Sequence, residues 1–209
     1  MTAEIFEQFV MLAVVIDPIG TIPVFIAVTK GMKPSERPRI ALTAALTAAL
    51  VLAFFLVAGQ FLFDALGISL PAFQIAGSLI LFLFALTMIF GDSKPKAETE
   101  NLDEAPKEAS PAIFPLAVPS LASPGAMLAI VLLTDNNRFS LPEQSTTAGI
   151  MLSVVAIAYL LMLAAGPIIR IIKVSGAEIV SRVMGMILAA VAVENVIEAI
   201  LELIKSTTL

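Results

Sequence analysis

The residues of this sequence that are best suited to chemistry lie in two short segments with proline, each inside an apolar run. The first, 17-DPIG-20, places a carboxylate near the middle of a run over residues 5–28. The second, 123-SPGA-126, places a neutral serine in a similar setting. A buried carboxylate attracts a cation or exchanges a proton, whereas the N–H groups of a helix N-terminus attract an anion. The two segments therefore predict binding of charged groups rather than bond cleavage.

Both segments also carry the signal of a helix that begins. Asp and Ser act as N-caps by accepting a hydrogen bond from the first turn, and Pro at the first helical position has no N–H to leave unsatisfied. Irregular backbone at membrane depth requires protein or water around it. We therefore predict a substrate-binding site built from the two breaks, with the candidates Asp17, Pro18, Gly20, Thr21, Pro23, Ser123, Pro124, Gly125 and Ala126.

The composition places the chain among integral membrane proteins. Its 209 residues are 59% hydrophobic and only 14% charged, with a mean hydropathy of +1.00. There is no His or Cys, so the usual nucleophile pairs and imidazole or thiolate metal sites are excluded, and an enzyme is disfavoured. The net charge of −5 does not indicate nucleic acid as a partner. The bilayer is the predicted surrounding of the protein.

The apolar runs predict an all-α fold with six transmembrane helices. Ser140 and Glu143 form a capping-box pattern ahead of the fifth run. A hydrophilic connector at 91–111 separates a first three-helix repeat at 1–90 from a second at 112–209. The six predicted spans lie near residues 5–28, 40–66, 71–90, 112–133, 146–172 and 177–204.

The basic residues predict the orientation, because cytoplasmic flanks are enriched in Lys and Arg. Only Arg138 and Lys205 are predicted to lie on the extracytoplasmic side, and Arg182 is predicted to lie close to the cytoplasmic side. Both termini are therefore predicted to be extracytoplasmic. The predicted cytoplasmic cations are Lys30, Lys33, Arg37, Arg39, Lys94, Lys96, Lys107, Arg170 and Lys173.

The two halves resemble each other in the order of their features. The segment 17-DPIG-20 aligns with 123-SPGA-126, and Gly77 aligns with Gly185. Three spans in each half is an odd number, so a shared fold requires opposite insertion. The pattern predicts two inverted three-helix repeats with discontinuous first and fourth helices, which is typical of secondary transporters.

Other polar residues inside the spans are candidates for cavity lining or ion coupling: Gln74, Ser78, Glu194 and Asn195. The main candidates also have purely structural interpretations. Asp17 can be an N-cap that serves its own helix, although a mid-membrane carboxylate costs about 3 kcal/mol or more. Pro124 with Gly125 can be a packing kink, and Gly77 and Gly185 are interpreted as helix-packing positions.

With these motifs, the sequence resembles the MarC family, which includes the SnatA-type neutral amino acid transporters. The resemblance rests on 17-DPIGTIPVF-25, on 114-FPLAVPSLASPGAM-127 and on the six-span plan. It implies a bacterial or archaeal inner-membrane protein that transports small neutral amino acids such as glycine and alanine. The family commonly has Asn at Thr21, Gly at Ser123 and, near the end of the last span, Gln where this chain has Glu194.

The sequence therefore predicts a secondary transporter in the plasma membrane for a small zwitterionic amino acid. The helix end at 123–126 is predicted to hold the substrate carboxylate, while Asp17 and Thr21 orient the ammonium group or a coupling cation. No cofactor is predicted, no ATP-binding P-loop pattern is present, and both H⁺ and Na⁺ are candidate coupling ions. The alternatives are a channel-like pore or a non-transporting membrane scaffold.

Overall fold

The computed structural model describes residues 2–66, 70–90, 110–136 and 139–207, and this part of the chain contains helices and no strands. The predicted all-α class is confirmed. Most of the predicted connector at 91–111 lies outside the described residues, as does the predicted outer cation Arg138. The helices are α1 Thr2–Ile16, α2 Thr21–Val28, α3 Arg37–Leu66, α4 Leu70–Phe90, α5 Ala112–Leu121, α6 Pro124–Leu133, α7 Leu141–Leu163 and α8 Ala165–Thr207.

Four stretches within the described residues are long and apolar enough to cross a membrane: Glu4–Val28, Arg37–Gly59, Leu141–Leu163 and Glu178–Leu201. Helices α5 and α6 form a fifth span if the pair, which is bent by 53°, is counted as one. Helix α4, Leu70–Phe90, is 21 residues long and contains the further apolar stretch Gln74–Phe90. The multi-pass membrane class is confirmed, with four or five candidate spans among the described residues, and the number of six stays a prediction.

Helix α5 is irregular because two of its residues precede prolines. Phe114 (φ −123°, ψ 127°) precedes Pro115, and Val118 (φ −131°, ψ 123°) precedes Pro119. A proline ring clashes with the preceding residue in the α conformation and moves it to extended angles. The fourth span is therefore interrupted ahead of its predicted break as well as at it.

The fifth span ends earlier than residue 172, where the sequence interpretation placed its end. Helix α7 ends at Leu163, and α8 begins at Ala165 with Pro167 in its first turn, where a missing N–H costs nothing. Lys173 (φ 58°, ψ 172°) then interrupts α8. The predicted long fifth helix was wrong because its apolar run continues through a change of helix.

Small residues allow close contact between helices. Helix α4 packs along α8, α3 packs against α5 and α6, and α7 packs against α1. A Cβ atom at Gly77 would lie 2.7 Å from Leu128 Cδ1, and one at Gly185 would lie 2.8 Å from Met88 Cβ. The structure thus agrees with the interpretation of both glycines as packing positions.

These two glycines are expected to differ in their tolerance of a methyl group. Gly77→Ala meets the flexible end of a leucine, so we expect a change within about 1 kcal/mol. Gly185→Ala meets Met88 Cβ and, at 3.1 Å, the backbone oxygen of Ala85, neither of which can rotate away. We expect it to lower the free energy of unfolding by about 1–3 kcal/mol. Thermal unfolding of both variants in one detergent checks this order, and equal melting temperatures would contradict it.

Candidate functional site

The first helix break centres on Asp17, which is 2% exposed. Its φ of 49° lies in the left-handed region, which Asp tolerates better than most residues. Its Oδ1 atom accepts a hydrogen bond from Gly20 N at 2.9 Å. The prediction that Asp17 caps a helix starting at Pro18 was wrong: its hydrogen bond closes a turn over residues 18–20, and α2 begins only at Thr21 with Gly20 as its N-cap.

The second carboxylate oxygen of Asp17 is bound by a residue that the sequence interpretation did not single out. Ser181 of α8 is 1% exposed, and its hydroxyl donates to Asp17 Oδ2 at 2.8 Å. Its only signal in the sequence is that of a small polar residue within an apolar helix. Pairing it with Asp17 required the knowledge that α8 packs against α1 and α2.

Gly20 makes this arrangement possible through space rather than through unusual backbone angles, since its φ is −65°. A Cβ atom at this position would overlap the Asp17 carboxylate and lie 2.6 Å from Ser181 Oγ. The close approach of α8 to the break thus depends on the missing side chain at residue 20.

The second break has the geometry that the sequence predicts. Ser123 (φ −71°, ψ 157°) is the N-cap of α6, its Oγ accepts from Ala126 N at 3.1 Å, and Pro124 follows at the first helical position. Pro124 has no N–H, and Ser123 occupies that of Ala126. In the described structure the first-turn donor without a protein acceptor is therefore Gly125 N–H.

The two breaks are hydrogen-bonded to each other. Thr21 Oγ donates to Asp17 O at 3.1 Å and lies 3.1 Å from Ser120 Oγ, so the Ser120 hydroxyl donates to Thr21. Ser123 Oγ lies 3.4 Å from Val15 O, to which it donates. All of these side chains are buried. Two interrupted helices, distant in sequence, thus meet at one buried polar cluster around a carboxylate.

A cleft of about 820 Å³ lies between α1, α8 and the start of α7, toward the N-terminal end of α1 from this cluster. The innermost lining residues are Val14 and Leu188, which are both buried. Val14 precedes Asp17 by about one helical turn. A smaller cavity of about 300 Å³ lies at the other end of the first span, beside Thr29. The large cleft is acidic, since its lining includes Glu4, Glu7, Glu143, Glu194 and Glu198.

Comparison with known proteins assigns the chain to a family. A family model described as MarC family integral membrane protein matches residues 2–204. The chain belongs to the MarC family. A UPF0056 membrane protein of Archaeoglobus fulgidus is 32% identical over 206 residues, covering 98% of this chain and 95% of the relative. The UPF0056 inner membrane protein MarC of Escherichia coli K12 is 32% identical over 213 residues, covering 94% of each chain. No solved structure matches the chain.

The remaining predicted polar residues of this MarC-family protein form a separate group. Gln74 Nε2 donates to Asn195 O at 3.1 Å, which joins α4 to α8. Gln74 Oε1 and Ser78 Oγ are buried and have no partner among the described residues. Glu194 and Asn195 line the acidic cleft. Among the hydrogen bonds of the described residues, none joins these side chains to Asp17.

Proposed function

We propose that this MarC-family protein is a secondary transporter of small neutral amino acids that works by alternating access. The observation that carries the proposal is the buried cluster in which two interrupted helices bond to each other around Asp17. Discontinuous helices that meet in this way bind substrates and ions in many secondary transporters. The name of the Escherichia coli relative supports a location in the inner membrane.

The packing pattern supports two inverted repeats. Helix α3 of the first half packs against α5 and α6 of the second, and α7 of the second half packs against α1 and α2 of the first. Helices α4 and α8, the last of each half, pack against each other. Exchange of the halves reproduces this pattern, as expected for two repeats related by a two-fold axis. With three spans in each half, the axis would lie in the membrane plane, and the basic residues support an extracytoplasmic location of both termini in this proposal.

In this proposal the structure corresponds to a closed site. Asp17 binds Ser181, and Thr21 binds Ser120, where a substrate ammonium group or a coupling H⁺ or Na⁺ would bind. The substrate carboxylate would take the N–H of Gly125, a buried residue at whose Cα the side chains of Leu81, Phe84 and Val15 leave no room for a Cβ atom. Binding therefore requires the two breaks to separate, and that separation is the motion that alternating access needs.

The cleft favours a carrier over a channel-like pore. A channel needs a continuous polar lining, whereas the acidic cleft ends at Val14 and Leu188, and the cluster below them is buried. Within the described chain, the cleft and the smaller cavity share no lining residue.

Counterflow of labelled alanine and glycine in proteoliposomes tests the proposal. We expect saturable exchange that depends on unlabelled amino acid inside the vesicles. Protein-free vesicles and the variant Gly149→Ala, whose methyl group meets nothing within 4 Å, are the controls. Conductance without saturation, or no flux from a folded protein, would contradict a carrier of these substrates.

A further inference from the structure

The smaller cavity has a chemistry unlike that of the acidic cleft. Its volume is about 300 Å³, and its walls come from α2, the start of α3 and the junction between α7 and α8. Phe25, Ile26 and Ile169 make these walls apolar, while Arg37 and Arg170 are the charged residues that line the same cavity. The cavity therefore combines apolar walls with two positively charged residues.

Neither arginine forms an ion pair with the described residues. Arg37 and Arg170 are exposed, and the described chain shows no ion pair or hydrogen bond for either guanidinium. The nearby carboxylate of Glu36 accepts instead from Lys33 N at 3.3 Å. The two charges are thus available to an anion, and guanidinium groups suit phosphate because they donate two parallel hydrogen bonds.

We propose that this cavity binds one anionic phospholipid, with its phosphate between Arg37 and Arg170 and its upper acyl chain along the apolar walls. Leu163 lines the cavity and is 44% exposed, so the apolar wall continues onto the outer face of the helices, where acyl chains lie. Inorganic phosphate has no apolar part that could contact these walls, whereas a phospholipid has acyl chains. Both arginines also lie on the predicted cytoplasmic side, whose leaflet is rich in anionic lipids. The inference goes beyond transport, because the cavity and the buried breaks share no lining residue.

Native mass spectrometry of the full chain tests the proposal. The purified protein is titrated with phosphatidylglycerol or with phosphatidylcholine of the same acyl chains. We expect one phosphatidylglycerol to bind more tightly than further copies and than phosphatidylcholine. A hydrogen bond from a guanidinium to the phosphate contributes about tenfold or more to affinity, so Arg37→Ala with Arg170→Ala is expected to weaken this first site about a hundredfold. Arg37→Lys with Arg170→Lys keeps the charges and is expected to lose less.

Lys33→Ala with Arg39→Ala is the matched control, because it removes two exposed cations of the same region that do not line the cavity. We expect the control to change affinity less than about threefold, because salt screens exposed charges that do not contact the phosphate. Equal weakening in both double variants would show diffuse surface attraction and overturn the proposal. So would equal binding of phosphatidylcholine, or full displacement of the lipid by millimolar inorganic phosphate. Loss of substrate exchange with unchanged lipid binding would assign the cavity to the transport pathway instead.

Discussion

Gly20→Ala is expected to disrupt the buried cluster more than any other single methyl group in the described chain. The added Cβ atom would occupy the position of the Asp17 carboxylate and approach Ser181 Oγ to 2.6 Å. Relief requires either that Asp17 leaves its hydrogen bonds or that α8 moves away from the break. Overpacking together with loss of a hydrogen bond to a charged group costs about 3 kcal/mol. Exchange is expected to fall at least about tenfold, since the same contact positions Asp17.

Melting temperature and counterflow measured on the same preparation check this expectation. A loss of about 3 kcal/mol corresponds to a fall of about 6–12 °C for a chain of this size. Gly149→Ala is the matched control, because it also adds one methyl group to a helix but meets no atom within 4 Å. It is expected to be neutral or slightly stabilising. Wild-type stability of the residue 20 variant would show that α8 does not press on the break.

Features that depend on local sequence were predictable. Ser123 forms an N-cap with Pro124 at the first helical position, because capping is decided within one turn. The interruptions at Phe114 and Val118 follow an equally local rule, since each precedes a proline. The prediction of a single break in the fourth span, at Ser123, does not include these two interruptions.

Features that depend on which helices touch were not predictable. The partners Ser120 and Ser181 are ordinary small polar residues in sequence, and they gain a role only because α5 and α8 pack against α2. Likewise, Glu4 and Glu143 are far apart in sequence but line one cleft with Glu194. Periodicity reports which face of a helix is apolar, not which other helix covers it.

The helix boundaries show a third limit. Hydropathy continues past Leu163, so a window of apolar residues extends the fifth span through the point where the chain changes helix. Hydropathy measures the solvent that a segment prefers, whereas a boundary is decided by backbone angles and packing.

Asp17→Asn is expected to separate the charge of this residue from its hydrogen bonds. The amide has the same shape, its oxygen can still accept from Gly20 N, and its NH₂ group can donate to Ser181 Oγ. Stability is therefore expected to change by no more than about 1 kcal/mol. If the carboxylate binds an ammonium group or a coupling cation, exchange of labelled alanine falls about 10–100-fold, because hydrogen bonds to charged groups contribute about 1.5–3 kcal/mol.

Ser181→Ala provides the opposite test. It keeps the charge of Asp17 but removes the hydroxyl that donates to Oδ2, which leaves a buried acceptor unpaired at a cost of about 1–3 kcal/mol. We expect this variant to lose stability while retaining exchange within a few-fold of the wild type. Counterflow and thermal unfolding of both variants give a crossed pattern if Asp17 acts on the transported cation. If Asp17→Asn exchanges like the wild type, the carboxylate is a cap that holds α8 against the break, and cation binding must be sought elsewhere.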